Sequence, residues 1–249
     1  LQPSQVMPWV DEAHGEQAQI RIAQLAVDNA RLDTKKAETL KEELVSSFTK
    51  IPALVFEHLR HSQMPIKQFF MAFWEYLLEK AWVFEHQALT RARFCVGDPE
   101  LGAQFEAIRI EILRQPRDLA KLREEVVAMR RKMYDAHASN SPVDFGLKHD
   151  AGGIIDVEFI VQYLVLGHAH RYPELTGNLG NIALLRIAGE LGLIDPGQAK
   201  AAGNAYREYR RLQHARRLSA TPKAPIPREE VEQHIAAVTT LWQAVLGGV

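Results

Sequence analysis

The chain has a single cysteine, Cys95, so no disulfide can form within it, and this fits a reducing compartment. Its formal net charge is −1, with 30 basic against 31 acidic residues. That balance offers no electrostatic case for nucleic acid or an anionic membrane. No HExxH or cysteine cluster spells out a metal site, and the ten histidines are scattered. A phosphate-binding glycine loop ending in Lys-Ser/Thr is missing, as is a G-x-S-x-G elbow. Strand alternation, hairpin signals and internal repeats are also missing, which excludes a sheet-based fold. The first residues, LQPSQVMPWVDEAHGEQ, have no basic region followed by an apolar stretch and do not read as a signal peptide. The chain starts without Met, so we expect a piece of a longer protein.

What is present is helix. The most apolar stretch runs Lys148 to His170, KHDAGGIIDVEFIVQYLVLGHAH. It reads as a helix buried all round, too long for a buried strand and too short and interrupted to span a bilayer. The Gly152-Gly153 pair before it is expected to let backbones pack closely or the chain turn. Asp156 and Glu158 fall about 200° apart on this helix and cannot serve one site together, whereas Glu158 and Gln162 share a face. Two readings stand for the acids. Both sit near the positive end of the helix dipole, or Glu158 is drawn inside and must meet a cation.

Residues 1–65 are expected to be a helical N-terminal segment of unclear origin. Strong helix formers run from about Glu16 to Lys50, and Leu54, Val55 and Leu59 follow the break at Pro52. Pro65 opens an aromatic helix expected to continue to about Val96, before Gly97-Asp98-Pro99. Further helices are expected over Glu100–Arg114, Asp118–Tyr134, Ile182–Leu193, Gly197–Leu218 and Arg228–Leu246. Asp118 supplies an N-cap or first-turn acid, and Pro196 a first helical position. The RRK at the end of the Asp118 helix reads as a solvated helix end. His168 and His170 mark another. The fold class is therefore all-α, a multi-helix bundle with two helical subregions, 1–65 and 66–249.

In WVFEHQALTRAR, Glu85, Leu89, Ala92 and Val96 would share a stripe. Arg93 would sit in apolar company, either snorkelling to solvent or holding a carboxylate or phosphate, with Glu158 as a candidate partner. Arg91 points away from Arg93, toward the surface. Cys95, between Phe94 and Val96, reads as a packed thiol.

Three stretches, FEHQALTRARFCVGDPELGAQFEAIR, PRDLAKLREEVVAMRRKM and LKHDAGGIIDVEFIVQYLVLGHAHRYPELT, resemble the glutamine-synthetase adenylyltransferase/adenylyl-removing family. The resemblance runs from about Phe70 to Leu246 and is closer to the C-terminal, AMP-attaching half of these two-headed enzymes. It implies a cytoplasmic enzyme that regulates nitrogen assimilation by AMP transfer from ATP to glutamine synthetase. ATP and Mg²⁺ would be its cofactors. The implied partners are glutamine synthetase, a PII-type regulatory protein and the nucleotidyltransferase core of the same enzyme. That core, with its Asp-x-Asp pair for Mg²⁺, has no counterpart here, since no Asp-x-Asp occurs. The chain then supplies the helical domain that packs on the core, with no catalytic or metal-binding residue of its own. Glu85, Arg93, Lys148, Asp156 and Glu158 are the motif positions expected to line the cleft. Arg93 and Lys148 would reach phosphates, and Glu158 would orient a cation. An alternative is a non-catalytic helical interaction module whose aromatic stretch docks a partner. A further alternative is a relative of the PII uridylyltransferase, against which the EHQAL stretch speaks.

Overall fold

The computed structural model describes residues 66–95, 98–139, 141–218 and 226–247. The chain divides into two compact units, residues 1–80 and 81–249. In the first unit the described element is α1, Ile66–Glu79. Phe70 and Leu77, two turns apart on one stripe, are its buried anchors. The expectations of helix over 1–65 lie outside the described residues.

The second unit holds seven α-helices among its described residues: α2 (Val83–Leu89), α3 (Pro99–Leu113), α4 (Leu119–His137), α5 (Ile154–His168), α6 (Asn181–Glu190), α7 (Pro196–Arg217) and α8 (Arg228–Leu246). A short 3-10 turn, Pro173–Thr176, precedes α6. No strand occurs among the described residues, and an isolated bridge between Asp144 and Pro227 is the extended pairing they show. The fold is all-α, as read from the sequence.

Three helix starts follow from a capping aspartate. The Asp98, Asp118 and Asp195 side chains each accept from backbone N–H groups of the first turn, at 2.8 Å for Glu100, Ala120 and Gln198. These caps satisfy donors that a helix start leaves orphaned. Pro99 and Pro196 occupy first helical positions, where a missing N–H costs nothing.

The aromatic helix expected from Pro65 to about Val96 is instead two helices, broken after Glu79 and restarted at Val83. The restart has a local cause. Trp82 is extended, and its N–H donates to Glu85 Oε2 at 2.9 Å, the acidic half of a capping box. Helix α2 then ends at Leu89, with the Thr90 hydroxyl donating to the Gln87 carbonyl at 2.7 Å. The chain is irregular from Ala92 to Cys95. The stripe from Glu85 therefore stops at Leu89 and does not reach Ala92 as helix, Val96 lies outside the described residues, and Cys95 is exposed rather than packed. The Phe94 ring instead lies over Gly102, where a β-carbon would come within 2.7 Å of it.

Helix α5 is the axis of the second unit. Twelve of its fifteen residues are buried, and it packs against α2, α4, α6, α7 and α8. Its aliphatic side chains stabilise the unit by about 1.5–3 kcal/mol each on full burial, before chain entropy is charged against them. Glu158 and Gln162 are among its three positions that are not buried.

Gly152 explains the glycine pair. Its φ is +85°, and a β-carbon there would sit 2.8 Å from Ile235 Cγ2 on α8. The position needs glycine for both its backbone angle and its close approach. A β-carbon on Gly153 would lie 2.7 Å from the Leu147 carbonyl oxygen. Both expected roles, turning and close packing, are realised. Tyr209 of α7 completes the junction by donating its hydroxyl to the Gly152 carbonyl at 3.0 Å.

Candidate functional site

The polar face of α5 gathers side chains from three other helices. On α2, the Gln87 amide donates to Gln162 Oε1 at 2.8 Å. On α7, the Tyr206 hydroxyl donates to Glu158 Oε1 at 3.1 Å. Arg91, just past α2, donates to Asn181 Oδ1 at the start of α6, at 3.0 Å. Tyr206 links the two halves, because burial and then the Glu158 carboxylate raise its phenol, while the Asn181 amide and Arg210 work against them. Gln87 and Asn181 are buried, Glu158, Gln162 and Tyr206 half-buried, and Arg91 exposed. Gln87 Oε1 is buried with no hydrogen-bond partner among the described residues.

This arrangement suits binding and orientation. Glu158 spends one oxygen on Tyr206, and Arg91 spends one N–H on Asn181, leaving further acceptor capacity on the one and donor capacity on the other. A half-buried carboxylate and an exposed guanidinium can each hold a polar partner through charge-assisted hydrogen bonds.

On the other side of α5, Asp156 faces inward. Its Oδ1 accepts from Arg130 Nε of α4 in a buried ion pair, and its Oδ2 accepts from the Gly152 N–H at 2.6 Å. Burial pushes the Asp156 carboxyl up, and Arg130 and the Gly152 N–H hold it down. Arg130 continues to the carbonyls of His149 at 2.9 Å and Asp150 at 3.3 Å. Asp150 is itself buried. It accepts from the Ser139 N–H at 2.7 Å, the Ser139 hydroxyl at 2.5 Å and the Gly146 N–H at 2.7 Å. These two aspartates fasten the loop that leads into α5.

The five residues singled out from sequence do not converge. Glu85 caps α2. Arg93 is exposed beyond α2 and pairs with no acid among the described residues, so the expected pairing with Glu158 is replaced by Tyr206–Glu158. Lys148 is exposed in the loop before α5. Asp156, and not Glu158, is the acid drawn inside to a cation, and that cation comes from the RRK read as a solvated helix end. Sequence reasoning missed Gln87, Arg91, Asn181 and Tyr206. Gln87 had a signal, since it stands beside Glu85 in the same motif. Arg91 was set aside as a surface residue, and it is exposed, but it is hydrogen-bonded across to α6.

The described acids do not suit a divalent cation. Both oxygens of Asp156 and of Asp150 are committed, and no group of three His, Cys, Asp or Glu gathers among the described residues. No helix of the described residues is long and apolar enough to cross a membrane.

Comparison with known proteins places this geometry. Residues 59–108 match the family model described as glutamate-ammonia ligase adenylyltransferase, and residues 119–237 match that of the GlnD PII-uridylyltransferase. The bifunctional glutamine synthetase adenylyltransferase/adenylyl-removing enzyme of Aromatoleum aromaticum is 63% identical over 176 residues, covering 71% of this chain and 19% of that protein. The enzyme of that name from Nitrosomonas europaea is 55% identical over 190 residues, 71% of this chain and 20% of its own. The one from Bordetella pertussis is 53% identical over 175 residues, 70% and 18% respectively. The chain spans about a fifth of the length of the curated relatives it matches. Over the matched stretch, which takes in both the EHQAL helix and the GGIIDVEF helix, this chain belongs to the glutamine synthetase adenylyltransferase/adenylyl-removing enzyme family.

Proposed function

We propose that this chain is the helical part of an enzyme that transfers AMP from ATP to glutamine synthetase, and that residues 66–249 pack on its nucleotidyltransferase core. The carrying observation is the convergence of the two family stretches on one polar face, through Gln87–Gln162 and Tyr206–Glu158. A face with a half-buried carboxylate and an exposed guanidinium suits a polar partner rather than an apolar one. On this reading, Glu158 and Arg91 meet the core or its nucleotide, and ATP and Mg²⁺ are held by acids of the core. When bound, they supply the phosphoryl-transfer chemistry, while the helical part positions and shields. Glu85 and Asp156 hold the walls of this part, and Arg93 and Lys148 are left as reachable cations at its surface. Glutamine synthetase is the acceptor and a PII-type protein the regulator, and the C-terminal, AMP-attaching half is the favoured place for the chain. The cytoplasm is its proposed location.

The test uses the full-length enzyme with Glu158→Gln and Arg91→Ala, reading AMP per glutamine synthetase subunit by intact mass. Turnover is expected to fall at least about tenfold while the melting temperature stays put, the loss of one charge-assisted contact. Unchanged turnover in both variants would overturn the reading.

A second reading, a non-catalytic docking module, is favoured by Trp82, which is 61% exposed at the start of α2. Retention of the polar-face phenotype with Trp82→Ala fully active would exclude it. Loss of partner binding by Trp82→Ala, with turnover indifferent to Glu158 and Arg91, would favour it.

A further inference from the structure

The buried stripe of α3 is Gly102, Arg109, Ile112 and Leu113. An arginine inside such a stripe is costly unless it is paired. Arg109 is 2% exposed, and its fork holds two acceptors. Its Nε donates to Glu106 Oε2 at 2.7 Å, one turn back on α3, and its Nη2 donates to the Thr176 carbonyl, also at 2.7 Å. Glu106 by itself would meet the charge. The second bond spans 67 positions to reach a neutral oxygen, and it is the one that crosses between elements.

Thr176 ends the 3-10 turn in the connection from α5 to α6. The turn is closed by its own bonds. The Thr176 hydroxyl donates to the Pro173 carbonyl at 2.7 Å, and the Leu175 N–H donates to the Tyr172 carbonyl at 3.1 Å. Leu175 and Thr176 are buried, whereas residues 177–180 are exposed. Arg117, just past α3, fastens the start of this connection. Its Nη1 donates to the Leu166 carbonyl in the last turn of α5 at 3.3 Å, and its Nη2 to the Ile112 carbonyl of α3 at 3.0 Å. Arg91 fastens the far end through Asn181 Oδ1, at 3.0 Å. Guanidiniums from residues 91–117 thus hold the α5–α6 connection at its beginning, middle and end, each through an uncharged oxygen.

A planar guanidinium shared between two acceptors fixes their spacing more tightly than an ammonium, whose donors rotate. Arg109 therefore sets the distance from α3 to Thr176. Four exposed residues later the chain enters α6 at Asn181, which is buried and receives Arg91. The path also returns to α3 from the Arg91 end, because Phe94, three residues on, lies against Gly102. It is closed: from α3 through Thr176 to Asn181, across to Arg91, and back to α3 through Phe94. Contacts joined in one network couple, so loosening one is felt at the others.

We propose that Arg109 is a positioning residue for the polar face of α5: through Thr176 it places Asn181, and through Asn181 it orients the Arg91 guanidinium. The placement stands on geometry, and its effect on turnover rests on the adenylyl-transfer reading above.

The test has two readouts. In the 249-residue chain, the side-chain amide signal of Asn181 is followed by NMR in Arg91→Ala, Arg109→Met and Arg109→Lys. Arg91→Ala marks where the signal goes when the Arg91 bond is lost, and both Arg109 variants should move it in that direction. Arg109→Lys keeps the charge beside Glu106 but not the fork, so it would rescue a residue that only neutralised Glu106. An amide signal unmoved in Arg109→Lys would overturn the proposal. The lysine variant also keeps the test decisive where Arg109→Met does not fold.

In the full-length enzyme, AMP per glutamine synthetase subunit is read over time. Turnover should fall about three- to tenfold in Arg109→Lys, the loss of part of one charge-assisted contact. That loss should vanish in the Arg91→Ala background, since both substitutions act on one contact. A loss that simply adds to that of Arg91→Ala would assign Arg109 to stability alone and count against positioning. Turnover indifferent to Arg91→Ala, with the amide signal still moved by Arg109→Lys, would uphold the placement of Asn181 and sink the adenylyl-transfer reading instead.

Discussion

Arg130 and Asp156, 26 positions apart, form an ion pair in the interior of the helical unit, with side chains only 5% and 7% exposed. Breaking such a pair from one side strands a charge. Arg130→Met is therefore expected to destabilise by about 3–5 kcal/mol, and Asp156→Leu by a similar amount. The double variant should lose much less than the sum, because no charge is left buried. Urea midpoints of the three variants check this, and additive losses would contradict it.

Gly152 and Gly192 both have positive φ, +85° and +71°, but their surroundings differ. A β-carbon at Gly192 meets nothing within 4 Å, whereas at Gly152 it meets Ile235, the Ile235 carbonyl and Thr239. Gly192→Ala should cost about 1 kcal/mol of backbone strain. Gly152→Ala should cost clearly more, about 2–4 kcal/mol, since α8 must also move. Thermal unfolding of the pair separates strain from contact. Equal losses would mean α8 yields freely.

Two tyrosines of α7 place their hydroxyls in different settings. Tyr209 is fully buried and donates to the Gly152 carbonyl, whereas Tyr206 is half-buried and donates to Glu158. Removing the Tyr209 hydroxyl leaves a buried carbonyl short of a donor, so Tyr209→Phe should cost about 1–3 kcal/mol. Tyr206→Phe should cost under about 1 kcal/mol, since water can reach Glu158. Chemical denaturation ranks them, and a larger loss at Tyr206 would place Glu158 deeper than its exposure indicates.

His149 makes stability depend on pH in a definite direction. Its folded pKa is lowered to about 4, chiefly by burial, below the ordinary value of 6.5. Between these values the unfolded chain takes up a proton that the folded chain refuses, so stability falls as pH drops from 6.5 toward 4. His149→Gln removes that proton, and the variant's melting temperature should therefore decline less over this window than that of the parent. Parallel profiles would show that His149 titrates normally in the folded state.

The helices were legible because their start signals are local. Asp118 before a periodic run and Pro196 at a first turn carry their own instructions, and α8 begins and ends where its periodicity does. The glycine pair was legible for the same reason. The side chains of the site were not, because partners are set by how helices pack and not by spacing within one helix. The about 200° between Asp156 and Glu158 separates them, but the angle does not say which of the two faces the core. That choice was made by Arg130, on α4, at i+8 from Leu122 and i+4 from Val126, both buried. The buried stripe of Leu122 and Val126 continues to an arginine. The break between α1 and α2 was hidden because no glycine or proline marks it, and only the Glu85–Trp82 cap signals the restart.

The contacts of Gly152 bear on how chain length varies in this family. One residue touches Ile235 and Thr239 on α8 and offers its carbonyl to Tyr209 on α7, so two later helices are gauged from a single point. Residues added inside α5, or in α7 before Tyr209, would rotate one partner away from that point by about 100° each. Insertions and deletions between positions 153 and 208 are therefore expected in the connections at 169–180 and 191–195, where an extra residue can bulge without turning a helix. Homologues of different length should differ there and keep the α5 and α7 spans residue for residue.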